Sequence, residues 1–389
     1  MLKKISFQLL GTLVLRGGFF IAFLIGLQYF STIEIAALGL LLLISNSFAT
    51  CISMSFGVEC RNHIINQEKI VINNIKYFIL TLLLSVFFSN QLYNYLETLQ
   101  SISIQNYLMN FFLVSVLLYL QQIIYGYELI RENSIINLVV GSAWFFPIVF
   151  FFPKDINDFV FYYNLMVFFQ IFFVVILLIL KRVVLKKGKV ELSFIMDYGV
   201  YAFFGLPVFM VAQIILEKFA NSDVLSKVIV LIQITNLVGF FNTQIITVLY
   251  NKLAKINTIE VLNGLVVKYK LFNLVLVFIF SLSYFFRDYI QVYLKQDWWV
   301  FISSVAVFCL TSYYWLYNEF LLGKNKANIV KFCNILFGVV FLLLLFIVYA
   351  VFKRTDVYSY VVALFVARVL VIYIASSRIK VYFHENTNG

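Results

Sequence analysis

Charged residues are scarce in this sequence. Of its 389 residues, 12% are Asp, Glu, Lys or Arg, 63% are hydrophobic, and the mean hydropathy is +0.97. A typical soluble domain carries about 25% charged residues. A soluble globule of this length would not cover its surface with so few polar side chains. The scarcity of charge therefore excludes an ordinary soluble protein and indicates an integral membrane protein.

The sequence also lacks the motifs of common enzyme and metal sites. It contains no P-loop, no GxGxxG, no HExxH and no nucleophile elbow. Its two histidines, His63 and His384, have no second ligand at metal spacing, and its four cysteines lack that spacing too. We therefore expect a protein that is not an enzyme, binds no metal or cofactor, and does not hydrolyse ATP. Uphill transport would then depend on an ion gradient, the substrate gradient or a partner.

Long apolar runs separated by short polar breaks fill the chain. A spanning helix needs about 20 apolar residues, whereas the strands of a membrane barrel are about half as long and alternate in polarity. We predict an all-α integral membrane fold of about twelve transmembrane helices, because each run has helical length. The helices are placed near residues 6–29, 33–57, 71–92, 104–129, 135–153, 158–180, 193–216, 226–250, 270–286, 298–321, 329–352 and 357–378.

Basic residues are distributed unevenly between the loops. With these helices, 20 of the 29 Lys and Arg residues fall on one side and 7 on the other, while Arg16 and Arg368 lie within helices. The positive-inside rule assigns the more basic side to the cytoplasm. Both termini are therefore expected in the cytoplasm. The basic charge follows from topology, so it predicts no nucleic-acid partner.

The densest basic cluster lies at the middle of the chain, between Lys181 and Lys189. It predicts two six-helix bundles joined by a basic cytoplasmic linker that touches anionic lipid. The predicted parts are residues 1–180, the linker 181–192, residues 193–380 and a cytoplasmic tail 381–389. Three short matches between the halves, at offsets of 187, 190 and 191 residues, suggest a repeat. Two halves of the same orientation predict a pseudo-twofold axis along the membrane normal.

Charges within the helices are the strongest functional signal. An arginine at mid-bilayer costs about 2.5–3.5 kcal/mol on insertion scales, so it normally faces a wet or paired interior. Arg16 lies near the middle of the first helix and is followed by Gly17 and Gly18. It is either a cation for an anionic headgroup or the ion-pair partner of Asp197. Arg368 either binds substrate or snorkels, and Asp197 is a coupling site, a partner of Arg16 or an interfacial charge.

Polar residues near helix ends and within the eighth helix are weaker candidates. Glu128 and Arg131 at the end of the fourth helix, and Glu319 in the tenth, form either helix-end ion pairs or an inner gate. Arg61, after the second helix, meets a phosphate or serves only the positive-inside bias. Within the eighth helix, Gln233 and Asn236 share a broad face, where they either bond to neighbouring helices or line a path for sugar hydroxyls.

Several segments resemble a known group of transporters. They are the opening from Lys3 to Gly18, the run Phe56-Gly57-Val58-Glu59-Cys60-Arg61-Asn62, and the stretch from Glu319 to Lys326. Together with twelve helices and short loops, they make the chain similar to the multidrug/oligosaccharidyl-lipid/polysaccharide exporter superfamily. Within it, the chain looks most like bacterial polysaccharide flippases of the O-antigen and capsule type. The resemblance covers nearly the whole chain but rests on pattern rather than on a rigid motif.

This resemblance implies a function and a location. Such flippases move an undecaprenyl-diphosphate-linked oligosaccharide between leaflets of the bacterial inner membrane, by alternating access of two bundles around a central, often cationic cavity. It implies that Arg16 faces the diphosphate, with Arg61 a weaker match, and that membrane lipids, a polysaccharide polymerase and chain-length proteins are partners. The alternatives are a proton- or sodium-coupled small-molecule exporter of the same superfamily and a membrane polysaccharide polymerase. The short outer loops, which lack histidine, count against the polymerase.

Overall fold

The computed structural model describes residues 2–67, 69–150, 152–193, 195–196, 199, 207–254, 256–293, 297–324, 326–354 and 356–387. For some helical residues within these ranges, such as 2–9 and 243–248, only the backbone is described. The chain forms two compact units, Met1–Met210 and Val211–Gly389, which are described separately below. The first unit thus includes the linker and the residues that follow it, as far as Met210.

The first unit is built from helices and one short strand pair. The helices are α1 (Leu2–Gly26), α2 (Thr32–Ala49), α3 (Ser55–Gln67), α4 (Ile72–Tyr95), α5 (Ile104–Gly126), α6 (Ile130–Ala143), α7 (Phe145–Phe150) and α8 (Ile156–Leu180). A π-helical turn, Thr50–Met54, joins α2 to α3, so the two form one continuous segment. Strand β1 (Ile70–Val71) pairs in parallel with β2 (Leu185–Lys186). This pairing attaches the linker to the start of α4.

The second unit continues the same pattern. Helix α9 (Pro207–Phe219) spans the division between the units. It is followed by α10 (Ser222–Ala254), α11 (Ile259–Ser281), α12 (Arg287–Tyr293), α13 (Trp298–Thr311), α14 (Tyr313–Gly323), α15 (Ala327–Phe346) and α16 (Tyr358–Thr387). A 3₁₀ turn precedes α12, and a π-helical turn, Ile347–Val351, ends α15.

Local sequence signals fix several helix starts. Ser31 and Glu34 form a capping box, in which the Ser31 hydroxyl accepts from the Glu34 amide and the Glu34 carboxylate accepts from the Ser31 amide. Asp155 and Asp297 cap α8 and α13 by accepting from backbone amides. A side-chain oxygen at this position satisfies a donor that has no partner in the first helical turn. These caps start the helices where the apolar runs begin.

Eight helical segments in the described part of the chain are long and apolar enough to cross a membrane. The segment Thr32–Ser53 is mostly buried within the protein, whereas Ile72–Tyr95 buries little of its surface. On α4, apolar side chains such as Leu83, Phe87 and Phe88 are exposed. An apolar exposed face of this kind is suited to lipid. The protein is therefore a helical membrane protein with several spans, as the composition predicts.

Several helix limits differ from those expected from hydropathy; the last predicted helix, for example, continues from residue 378 to Thr387. The second predicted helix continues to Gln67, so Arg61 and His63 lie inside α3 rather than after it. The ninth predicted helix begins at Ile259 instead of residue 270. The extensions of the second and ninth helices carry charged and polar residues. A prediction from apolar runs ends a helix before such residues, although a helix can continue through them outside the hydrocarbon region. Helix boundaries are the least predictable part of such a fold.

Buried amides link the helices of the first unit. The Asn110 side-chain amide donates to the Asn164 side-chain oxygen at 2.7 Å, joining α5 to α8. The Gln170 amide donates to the Asn137 oxygen at 2.7 Å, joining α8 to α6. Such bonds contribute on average about 0.6 kcal/mol each in a membrane protein. They fix which faces of α5, α6 and α8 meet.

Candidate functional site

Helices α1 and α6 pack closely through glycines. A Cβ atom added to Gly141 would lie 2.5 Å from the Cα atom of Leu15, and one added to Gly11 would lie 2.5 Å from the backbone oxygen of Ser134. A Cβ added to Gly18 would lie 2.8 Å from the backbone oxygen of Gly141. Small residues at a contact let two helix backbones approach in a membrane. Side chains larger than hydrogen at these positions would separate the helices.

The glycine contacts determine the direction of Arg16. Gly11 and Gly18 are seven residues apart and therefore lie on the same side of α1. At 3.6 residues per turn, Arg16 is about 140–160° round the helix from both of them. It therefore points away from α6. Its side chain is exposed and lies within electrostatic reach of the hydroxyls of Tyr125 on α5 and Tyr163 on α8.

Arg61 reaches the same region from α3. Its Nη1 atom donates to the Oε1 atom of Gln122 on α5 at 3.5 Å, the long end of a hydrogen bond. One turn earlier, a Cβ added to Gly57 would lie 2.8 Å from the Gln122 side chain, so α3 and α5 are in close contact there. Tyr125 lies within electrostatic reach of both Arg16 and Arg61. These two arginines thus belong to one group of side chains.

We call this group the arginine cluster. Its members are Arg16, Arg61, Gln122, Tyr125 and Tyr163, which lie on α1, α3, α5 and α8 of the first unit. Guanidinium groups bind carboxylate and phosphate oxygens through two parallel N–H bonds, and hydroxyl and amide donors add further bonds. The cluster is therefore suited to a multiply charged anion with several oxygens.

Arg368, the second arginine predicted within a helix, lies in the other unit in an aromatic setting. Its guanidinium carbon is 4.4 Å from the ring centre of Phe337 and 5.7 Å from that of Tyr314. The Tyr314 hydroxyl is buried and donates to the Oδ1 atom of Asn334 at 2.8 Å. A cation stacked on aromatic faces is stabilised by the rings themselves. Its role toward a substrate stays a prediction.

The remaining predicted substrate and coupling residues are only partly described. Gln233 is half-buried on α10. The side chain of Asn236 lies outside the described part of the chain, as does the whole of Asp197. The suggested pairing of Asp197 with Arg16 therefore stays a prediction. Glu319 is half-buried on α14 and has an interaction partner.

The predicted placement of Glu128 and Arg131 on one helix end is wrong. Helix α5 ends at Gly126, Glu128 adopts a left-handed backbone with φ of 54°, and Arg131 belongs to the first turn of α6. Among the ion pairs of the described residues, none joins these two exposed side chains. Instead, Glu132 pairs with Lys181 at 3.4 Å. The three residues between these helices look like a continuation of helix in the sequence, because the left-handed position is occupied by Glu128 and not by a glycine that would mark a helix end.

The sequence interpretation missed Glu59, which is 2% exposed and lies on α3 beside the arginine cluster. Its Oε1 atom is 2.9 Å from the Nε2 atom of His63, one turn away. Continuing the second helix past residue 57 would have placed this acid and this histidine at i and i+4, where side chains meet. Among the described residues, no group of three histidine, cysteine or acidic side chains is placed to hold a metal ion.

No protein-family model matches the chain, and no curated protein matches it either. Solved structures match over nearly the full length. An outward-facing multidrug resistance MATE family transporter of the MOP superfamily has a TM-score of 0.68 at 12% identity, covering 99% of this chain and 96% of that one. An inward-facing structure of such a transporter has a TM-score of 0.66 at 13% identity, with coverage of 97% and 98%.

A third match is a MOP superfamily transporter from Pyrococcus furiosus, for which reverse polarity of the binding pocket suggests a different function. It has a TM-score of 0.59 at 13% identity and covers 97% of this chain and 96% of that one. These likenesses establish the fold and confirm the predicted fold class. The chain has the all-α membrane fold of the twelve-helix, two-lobe transporters of the MOP superfamily.

Proposed function

We propose that the protein is a bacterial inner-membrane transporter that moves an anionic substrate across the bilayer by alternating access. Its substrate is an undecaprenyl-diphosphate-linked oligosaccharide, which it flips from the inner to the outer leaflet. The observation that supports this most is the arginine cluster, in which Arg16 on α1 and Arg61 on α3 both lie within electrostatic reach of Tyr125. A diphosphate carries two adjacent negative groups, each of which a guanidinium group can bind through parallel N–H bonds.

The position of Arg16 adds weight to an anionic substrate. Inserting arginine in the middle of a spanning helix costs about 2.5–3.5 kcal/mol, so such residues are usually functional. In this protein α1 turns Arg16 away from its close contact with α6, and part of its side chain stays accessible although protein atoms surround it. A guanidinium placed in this way is accessible to a ligand. A hydrophobic prenyl tail would remain in the lipid while the headgroup meets the arginines.

A second candidate is a proton- or sodium-coupled exporter of small molecules. It is favoured by the matches to multidrug resistance MATE transporters, which share the fold at 12–13% identity. In that case Asp197 is the proposed coupling residue. The Pyrococcus furiosus transporter, with its reverse polarity of the binding pocket, is a relevant comparison because the arginine cluster is cationic. The charge of the cluster is our reason for ranking the flippase first.

Deletion of the gene provides the test of this proposal. Surface polysaccharide and lipid-linked repeat units are measured in the deletion strain, with the wild-type gene restored as control. A flippase predicts loss of surface glycan and accumulation of complete repeat units on the inner leaflet. Single repeat units that still reach the outer leaflet would indicate a polymerase instead. Unchanged glycan together with increased sensitivity to small toxic compounds would indicate the exporter.

Further gene deletions in this strain test the proposed partners. We expect the polysaccharide polymerase and the chain-length proteins to act after this transporter, because they use repeat units already present on the outer leaflet. Deleting the polymerase gene should therefore leave single repeat units on the outer leaflet, and deleting both genes should return them to the inner leaflet. A double deletion that still leaves single repeat units on the outer leaflet would contradict this placement.

A further inference from the structure

A buried carboxylate lies next to the arginine cluster but takes no part in it. Glu59 on α3 is 2% exposed, and its helix neighbours Phe56 and Cys60 belong to a cluster of buried apolar side chains. Moving an ionised carboxylate from water into such surroundings is strongly unfavourable unless its oxygens are hydrogen-bonded. The partners of Glu59 therefore indicate what keeps it there.

Three donors from three segments reach this carboxylate. The Oε1 atom lies 2.9 Å from the Nε2 atom of His63 and accepts from the backbone N–H of Glu191 at 3.1 Å. The Oε2 atom accepts from the Nδ2 atom of Asn74 on α4. Hydrogen bonds to a charged acceptor are about twice as strong as those between neutral groups. Glu59 thus joins α3, α4 and the linker.

The orientation of the Asn74 amide requires a hydrogen-bond acceptor on the side chain at position 59. Its Nδ2 atom also donates to the backbone oxygen of Phe56 at 2.9 Å, and its Oδ1 atom accepts from the Tyr119 hydroxyl at 2.8 Å. Turning the amide around would lose the bond to Phe56 and place Oδ1 against a carbonyl oxygen that only accepts, although the Tyr119 hydroxyl could then accept from Nδ2. Asn74 must therefore present a donor to Glu59, while the Glu191 amide presents a donor to the other oxygen. An isosteric glutamine would place its own NH₂ group against one of these donors.

Further bonds attach the linker to the same end of the first unit. The Ile70 amide donates to the backbone oxygen of Val184 at 2.9 Å, and the Asn73 side chain donates to the backbone oxygen of Gly188 at 2.9 Å. With the β1–β2 pairing, these bonds hold residues 184–191 against the start of α4. The last of these bonds along the linker is the one from the Glu191 amide to the buried carboxylate of Glu59.

Helix geometry connects Glu59 to Arg61. Glu59 and His63 lie on one face of α3, whereas Arg61 is about 200° round the helix from Glu59. That second face also carries Gly57, and it contacts Gln122. Bonds that restrain the rotation of α3 about its axis at Glu59 would therefore also restrain the direction of Arg61.

We propose that Glu59 is a positioning residue for the arginine cluster. Its carboxylate holds α3 with Arg61 directed at the bound anion, and it also ties α3 to the linker that precedes α9. The inference rests on the proposed function, since it assigns Arg61 to anion binding. This role differs from that of a coupling residue, because the Glu59 carboxylate acts by accepting hydrogen bonds and not by binding a transported ion.

The test compares Glu59→Gln with the wild-type protein in two measurements on the purified full chain. Hydrogen–deuterium exchange of the peptide covering residues 184–191 reports the attachment of the linker. Titration with inorganic pyrophosphate reports the arginine cluster. We expect Glu59→Gln to speed exchange of this peptide and to raise the pyrophosphate Kd, each by about tenfold or more, because a charge-assisted bond is replaced by two opposed donors.

Glu34→Gln is the matched control. Glu34 lies in the capping box of α2, where glutamine serves as well as glutamate, so neither measurement should change. Exchange and Kd that both stay at wild-type values in Glu59→Gln would overturn the inference, and so would a released linker with unchanged Kd. A wild-type protein that does not bind pyrophosphate would instead contradict the proposed anion site, and the inference would fall with it.

Discussion

Replacing Arg16 by alanine is expected to abolish restoration of surface polysaccharide in the deletion strain at equal protein level. Truncating one partner of a desolvated charged contact costs about 2–5 kcal/mol, which corresponds to a loss of affinity of roughly thirtyfold or more. Arg61→Ala should have the same direction of effect, because both arginines lie within electrostatic reach of Tyr125 and both are proposed to contact the anion. Surface glycan and protein level, measured together by immunoblotting, give the result.

Two further variants make this experiment specific. Arg287→Ala is the control, since Arg287 is an exposed arginine at the start of α12 that donates to the Tyr284 hydroxyl at 2.7 Å. It should restore full surface glycan. Arg16→Lys keeps the charge but lacks the planar fork of donors, so it should restore function in part. Full function of Arg16→Ala would show that Arg16 does not bind the substrate, and the arginine cluster would then not be the substrate site.

Substituting alanine for Gly141 is expected to lower the free energy of unfolding by about 1–3 kcal/mol, the usual cost of overpacking a tight contact. The added methyl group would lie 2.5 Å from the Cα and N atoms of Leu15, so the backbone of α1 or α6 would have to shift. Because the same contact directs Arg16, transport should fall as well. The measurements are the melting temperature of the purified protein and the surface glycan of the complemented strain.

Gly17→Ala is the matched control for the packing of α1. A Cβ added at Gly17 meets no atom within 4 Å, and alanine favours the helical conformation more than glycine does by about 1 kcal/mol. The melting temperature should therefore stay the same or rise. Equal destabilisation by the two substitutions would contradict the close α1–α6 contact and, with it, the direction assigned to Arg16.

The fold was largely predictable from the sequence because the membrane simplifies the problem. Apolar runs of spanning length must be helices, since no other single segment satisfies its backbone in lipid. All twelve predicted runs contain or overlap helices in the described part of the chain. The limits were less predictable where a helix leaves the lipid, as at the extension of α3 to Gln67, because polar side chains there no longer distinguish helix from loop.

The candidate site was predictable only in part. Arg16 stands out in the sequence because its cost in a spanning helix is high. Arg61 was assigned to phosphate binding or topology, and the structure groups it with Arg16 through Tyr125. Glu59 could not be singled out, since its importance depends on Asn74, Tyr119 and the Glu191 amide, which come from distant parts of the chain. Such contacts follow from helix packing, for which the sequence carries no local signal.

The most direct measurement of the central claim is the binding of undecaprenyl diphosphate to the purified protein, with undecaprenol as the lipid without phosphate. Both lipids are titrated into the wild-type protein and into Arg16→Ala in the same detergent. The arginine cluster predicts that the wild type binds the diphosphate much more tightly than the alcohol and that Arg16→Ala loses this preference. Equal binding of the two lipids by the wild type would contradict a cationic site for a lipid-linked diphosphate.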